Sequence, residues 1–110
     1  MSTKANLIEH VIVGEYGYPV YLHLIDEKSV DVPINGYDTF QVILRSPDKL
    51  KTVTYTATLY SDGIDGKLYF IPASTDIDRS GKWQGMVQLT DTSTAVSKSE
   101  IFDMIVQDSL

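Results

Sequence analysis

The chain has 110 residues, no cysteine, a 43% hydrophobic composition and a net charge of −6. That length is one domain, large enough to bury about two-thirds of the surface its unfolded chain exposes. The lack of cysteine excludes disulfides, thiolate metal sites and a cysteine nucleophile. An acidic balance without any basic run argues against nucleic acid and anionic membrane surfaces as partners.

From the N-terminus, Met1 to Asn6 reads as a polar, flexible arm that a partner would order, on a domain that spans residues 1–110. The opening "MSTKANLIEHVIVGEYG" lacks the continuous apolar core of a signal peptide, and no later stretch is long enough to cross a bilayer. The expectation is a soluble domain without membrane insertion.

Seven runs then alternate with period two, the signature of half-buried strands. "NLIEHVIV" sets Ile8, His10 and Ile12 against Leu7, Val11 and Val13. "YPVYLHLI" sets Val20, Leu22 and Leu24 against Tyr21, His23 and Ile25, and "YDTFQVILRS" sets Phe40, Val42 and Leu44 against Gln41, Ile43 and Arg45. In "TVTYTATLY" four threonines alternate with Val53, Tyr55, Ala57 and Leu59. "KLYFI", "KWQGMVQLT" and "EIFDMIVQ" complete the set, rich in the β-branched and aromatic residues that a pleated surface favours. Turn formers separate the runs at "GEYGYP", "PINGYD", "SPDKLK", "SDGIDG", "ASTDIDRSG" and "TDTSTAVSKS". The fold class is all-β: an immunoglobulin-like antiparallel β-sandwich of about seven strands, with a small closed barrel as the alternative.

One register follows from the pattern. Residues 52–60 and 67–71 form a hairpin around Asp62-Gly63-Ile64-Asp65, with Leu59 opposite Leu68, Ala57 opposite Phe70 and Thr58 beside Tyr69. A slip of one residue would turn Leu68 and Phe70 onto the threonine face. In the next run Trp83, in phase with Val87 and Leu89, is expected in the core, and Gly81 frees the backbone to leave the preceding turn.

Chemistry is sparse. Asp76, Asp78, Ser80 and Gly81 match the start of an EF-hand loop, but the twelfth position, which needs a bidentate Glu, is Val87. "TDIDRSG" is therefore read as a turn in which Asp76 and Asp78 cap backbone amides. His10 and His23 with Glu9 or Asp26 fall short of a zinc set for want of another ligand at useful spacing. The four acids Asp62, Asp65, Asp76 and Asp78 sit where aspartate is simply a good turn former, and no Gly-x-Ser-x-Gly elbow or phosphate loop is present. The expectation is a non-enzyme with no cofactor, no metal and no catalytic residues. What remains is seven tyrosines, a residue type enriched where one surface meets another. Tyr16, Tyr18, Tyr60 and Tyr69 are the candidate partner-binding residues, the first two around one turn with Tyr21 and the last two on one exposed face.

The order of segments carries a resemblance. "GEYGYPVYLHLID", "SVDVPINGYDTFQVILRSPD", "DGIDGKLYFI", "TDIDRSGKWQGMVQLTD" and the final "EIFDMIV" together resemble the N-terminal immunoglobulin-like domain of phage baseplate upper proteins and related tail-associated proteins. Lys49 stands where that family usually has Gly after Pro-Asp. The resemblance covers the attachment domain and not the stem or receptor-binding region of the longer members. It implies a virion structural protein, assembled in the bacterial host cytoplasm in several copies or as a homo-oligomer. Its partners would be other virion proteins of the tail, baseplate or head. A carbohydrate-binding module for adhesion to a cell surface is the alternative, and a small envelope hydrolase ranks last.

Overall fold

The computed structural model describes residues 3–7, 11–12, 17–73, 76–93 and 95–108. They are all-β: β1 (Thr3–Leu7), β2 (Val11–Ile12), β3 (Val20–Asp26), β4 (Thr39–Arg45), β5 (Thr52–Thr56), β6 (Thr58–Leu59), β7 (Lys67–Phe70), β8 (Gly81–Thr90), β9 (Val96–Lys98) and β10 (Phe102–Gln107). One sheet runs β1-β3-β7-β6 and the other β2-β10-β8-β4-β5, with β9 also paired to β8. The first order reproduces the four-stranded sheet of the immunoglobulin fold and the second contains its G-F-C neighbours. All pairs are antiparallel except β2 with β10. Among the described residues no helix is long and apolar enough to cross a membrane.

The expected inward phases hold. Val20, Leu22 and Leu24 of β3, Phe40, Val42 and Leu44 of β4, Leu68 and Phe70 of β7, and Trp83, Val87 and Leu89 of β8 are buried together in one core. Trp83 is wholly enclosed. Its indole N–H donates to the Arg79 carbonyl at 2.9 Å, which removes the cost of burying an unpaired donor. Gly81 has a φ of +123°, the freedom expected of it on leaving the turn.

Seven runs become ten strands because two of them divide and β9 forms inside "TDTSTAVSKS", a segment read from the sequence as a turn. The first run contributes β1 to one sheet and β2 to the other; its outer residues 8–10 and 13 lie outside the described set, so the face assignment of Ile8, His10 and Val13 does too. Residues 3–6, expected as a free arm, are instead the beginning of β1, paired from Thr3↔Asp26 to Asn6↔His23. Their polar composition fits an outer edge strand of a sheet whose neighbour, β3, supplies the hydrophobic face.

The second division corrects the expected hairpin. Thr58↔Tyr69 and Leu59↔Leu68 pair as read from the sequence, but residues 52–56 do not continue along β7. They pair with β4 in the opposite sheet, from Arg45↔Thr52 to Gln41↔Thr56. Ala57 is the crossing point: its N–H donates to the Phe40 carbonyl (2.8 Å), and its small side chain is buried. Both sheets face the same core, so Tyr55 and Leu59 keep one inward phase while the chain changes sheets.

β9 corrects the reading of "TDTSTAVSKS" as a turn, and it leads into β10 through a β-bulge. Lys98↔Gln88 and Phe102↔Gly85 leave three residues on one strand opposite two on β8. Ser99, buried at the bulge, holds it: its backbone N–H donates to the Val87 carbonyl and its hydroxyl accepts from the Val87 N–H, both at 2.9 Å.

Candidate functional site

Period-two alternation puts Tyr21 and His23 of β3 and Lys67 and Tyr69 of β7 on the outer face of the four-stranded sheet, since their neighbours in sequence are core residues. The register makes Tyr21↔Tyr69 and His23↔Lys67 cross-strand partners, and Tyr60 arrives beside them as its N–H donates to the Lys67 carbonyl (3.1 Å). Tyr21 meets Tyr60 edge to face, with ring centroids 5.4 Å apart and planes at 80°, and meets Tyr69 at 5.8 Å and 56°. Tyr60 is 56% exposed, whereas Tyr21 and Tyr69 are half-buried. The result is a fixed aromatic cluster with free ring surface and three phenol hydroxyls.

Two of the four expected tyrosines, Tyr60 and Tyr69, are thus brought together, and Tyr21 joins them. Alternation alone places Tyr21 on an outer face, but the pairing of β3 with β7 joins segments far apart in sequence, and only that pairing makes the cluster. Tyr18 is 70% exposed on the turn that Gly17 ties to the Pro72 carbonyl (3.0 Å). Among the described residues no ring contact links it to the cluster. Tyr16 lies outside the described residues.

Beside the tyrosines, His23 Nε2 and Asp31 Oδ1 are 2.7 Å apart. Asp31 is positioned by the bridge Ile25↔Asp31 where the chain doubles back after β3. Asp26, the carboxylate considered as a zinc ligand, accepts from the backbone N–H groups of Lys28 (2.8 Å) and Val30 (3.0 Å). His10 is outside the described residues. Among those described, no three His, Asp or Glu side chains gather in a way that could hold a metal, and no serine hydroxyl bonds to His23. The dyad adds polar character to the tyrosine face.

The turn acids divide as two pairs at opposite ends of β7, roughly 13 Å of strand apart. Asp62 accepts from the Ile64 N–H and Asp65 from the Lys67 N–H, both at 3.0 Å, as turn-forming aspartates do. Asp76 and Asp78 behave otherwise, and here the reading of them as backbone caps is corrected. The Tyr55 hydroxyl donates to Asp76 at 2.8 Å, while Asp78 receives Arg79 (2.8 Å) and Lys51 (3.2 Å). Arg79 also reaches Asp48 at 2.7 Å. The loop after β7 is thus clamped by side chains to the turn between β4 and β5. Hydrogen bonds from Ser46 and the Leu50 N–H lower the Asp48 carboxyl to about 2, and the Arg79 guanidinium does the same to Asp78. Burial, then the bond to Asp76, pushes the Tyr55 phenol well up. This is a structural clamp, with every carboxylate already engaged.

A second surface lies on the six-stranded sheet. Ile43 and Met86 are cross-strand partners and, with Arg45, Thr52, Gln84 and Ile101, line a shallow groove that holds neither carboxylate nor histidine.

No family model matches the chain, and no curated protein does. Among solved structures, CopC from Methylosinus trichosporium OB3b is similar over 96% of each chain, with a TM-score of 0.51 at 10% sequence identity. Likeness at that identity speaks for the fold. The chain is an immunoglobulin-like β-sandwich.

Proposed function

We propose that the chain is a phage virion structural protein, a small connector that docks onto a larger tail, baseplate or head component and performs no chemistry of its own. The virion assignment is supported by the resemblance of the ordered segments from Gly14 to Val106 to the attachment domains of phage tail proteins. The docking role is carried by one observation: the tyrosine cluster of Tyr21, Tyr60 and Tyr69, held rigid on the outer face of the four-stranded sheet with more than half of Tyr60 exposed. Aromatic side chains supply large contact area at little entropic cost, and a few such anchors dominate binding energy in protein interfaces. The cluster favours a protein over a sugar. A sugar ring stacks on an open aromatic plane, whereas Tyr21 and Tyr60 stand at 80° to each other and present an edge.

The experiment is assembly of particles in which Tyr60 and Tyr69 are both replaced by Ala, with incorporation compared against wild type and a second variant at Tyr16 and Tyr18. Loss of incorporation on removing Tyr60 and Tyr69 is expected, corresponding to upwards of about 2 kcal/mol of docking for central anchors. Full incorporation removes the face from the interface. Absence of the wild-type protein from purified particles removes the virion assignment. Binding on a glycan array that disappears with Tyr60→Ala transfers the face to the carbohydrate reading.

A further inference from the structure

A sandwich that is not closed into a barrel has edges, and natural proteins protect them with charge, proline, bulges or shortness. The four strands that end the two sheet orders differ. β6 and β2 are each two residues long. β1 carries Lys4 and is tied at its start to the bulge, since the Glu100 N–H donates to the Thr3 carbonyl (2.7 Å). β5 has none of these devices. Its sequence, Thr52-Val53-Thr54-Tyr55-Thr56, has no charge, no proline and no glycine, and it ends the order of its sheet.

The direction of its free backbone groups can be worked out. In an antiparallel pair, residues exchange hydrogen bonds at every second position. Ser46 donates to the Lys51 carbonyl and Ala57 to the Phe40 carbonyl. With the register Leu44↔Val53 and Val42↔Tyr55 between them, the residues of β5 bonded to β4 are Val53 and Tyr55. Thr52, Thr54 and Thr56 therefore point their N–H and C=O groups away from the sheet. Among the described residues no backbone bond covers them.

We infer that this edge joins a second copy of the chain, β5 against β5, antiparallel about a two-fold axis at Thr54. The strand is complementary to itself in that register. Thr54 faces Thr54 and Thr52 faces Thr56 of the other copy, and these are the residues whose backbone groups are free, so each of these facing positions exchanges a pair of hydrogen bonds. Side chains match as well. The threonines, exposed on the outer face, form a ladder of Thr–Thr pairs, and on the inner face Val53 meets Tyr55. Both are favourable cross-strand combinations. The contact is isologous and closes at two copies, merging the six-stranded sheets into one. It leaves the tyrosine face on the opposite sheet uncovered and does not depend on what that face binds.

The test is sedimentation equilibrium of the full chain from micromolar to millimolar concentration. A reversible dimer is expected, and a monomer throughout overturns the inference. Thr54→Pro removes only an outward donor, a substitution an edge strand tolerates. It should weaken the dimer roughly five- to a hundredfold, since two backbone bonds are lost, while the monomer melts near the wild-type temperature. A dimer of undiminished affinity overturns the assignment of the edge. The two-fold register has its own test, which also stands if the proline variant fails to fold. Thr54→Lys and Thr54→Asp each place like charges face to face and should be monomeric alone, yet form a heterodimer when mixed. Failure of the mixture to associate overturns the register at Thr54.

Discussion

The two most regularly alternating stretches of this chain have different fates. Residues 81–90 form one unbroken strand, β8, flanked by β4 on one side and by β9 and β10 on the other. Residues 52–59, whose alternation is cleaner still, break at Ala57 and serve two sheets. The difference teaches what alternation encodes. It fixes which side of a strand faces the core, and in a sandwich that side is shared by both sheets. A chain can therefore change partners without changing phase, provided that a small residue sits at the crossing.

The comparison breaks most forcefully at Trp83, the anchor of the continuous strand. Its replacement by Ala leaves a cavity between the sheets and the Arg79 carbonyl without its donor. A loss of about 3–5 kcal/mol is expected in chemical denaturation. A second break in the same strand is Gly85, where a methyl group would lie 2.4 Å from the Phe102 ring and 2.8 Å from Leu44. Gly85→Ala should cost about 1–3 kcal/mol through overpacking, read as a lowered denaturant midpoint.

On the divided stretch the informative change is gentler. Tyr55 stacks on Phe70 across the two sheets, with centroids 5.2 Å apart and planes at 20°, and reaches Asp76 with its hydroxyl. Tyr55→Phe keeps the ring and loses the bond, for about 0.5–1.5 kcal/mol in the same assay. If the clamp rather than the stacking holds the crossing strand, Asp76→Asn loses less than Tyr55→Phe, because an amide oxygen still accepts.

The smallest effect is one of pH. Asp48 and Asp78 are lowered to about 2 in the folded protein, below the ordinary carboxylate value near 4. Their contribution to stability is therefore complete above the unfolded value and is lost as pH falls through about 4 towards 2. Both are exposed, so solvent screens the gain. Denaturation midpoints between pH 6 and 2 should fall less steeply in Asp48→Asn than in wild type, while a Trp83 variant retains the wild-type slope.

Much of the fold was legible. The inward faces of the β3, β4, β7 and β8 segments, the burial of Trp83 and the Leu59–Leu68 pairing all follow from local periodicity and turn chemistry. Lys49 adopts a φ of +64°, a left-handed backbone position that alternation does not signal. Ala5, in the expected arm, was not legible as core, and neither were two isoleucines. Ile34 and Ile77 are fully or nearly fully buried, yet each lies in a turn-rich segment outside the strands, where alternation gives no signal. The acids of "TDIDRSG" were misread for a similar reason, since Tyr55, which bonds Asp76, and Lys51, which bonds Asp78, come from a strand and turn more than twenty residues away.

The sequence by itself determined most of the strand segments, the inward phases of β3, β4, β7 and β8, most turn positions and the lack of a thiol or of a phosphate loop. These are properties of neighbours along the chain, set by side-chain alternation and by the few residues that turns accept. Tertiary structure alone decided which sheet each strand joined, how residues 3–6 were ordered, and that Tyr21, Tyr60 and Tyr69 share one face. It also decided that β5 is left as an open edge. The physical reason is that strand pairing satisfies backbone groups that are the same in every residue. Partners are therefore chosen by how the whole chain packs around one core, and no short segment carries that information.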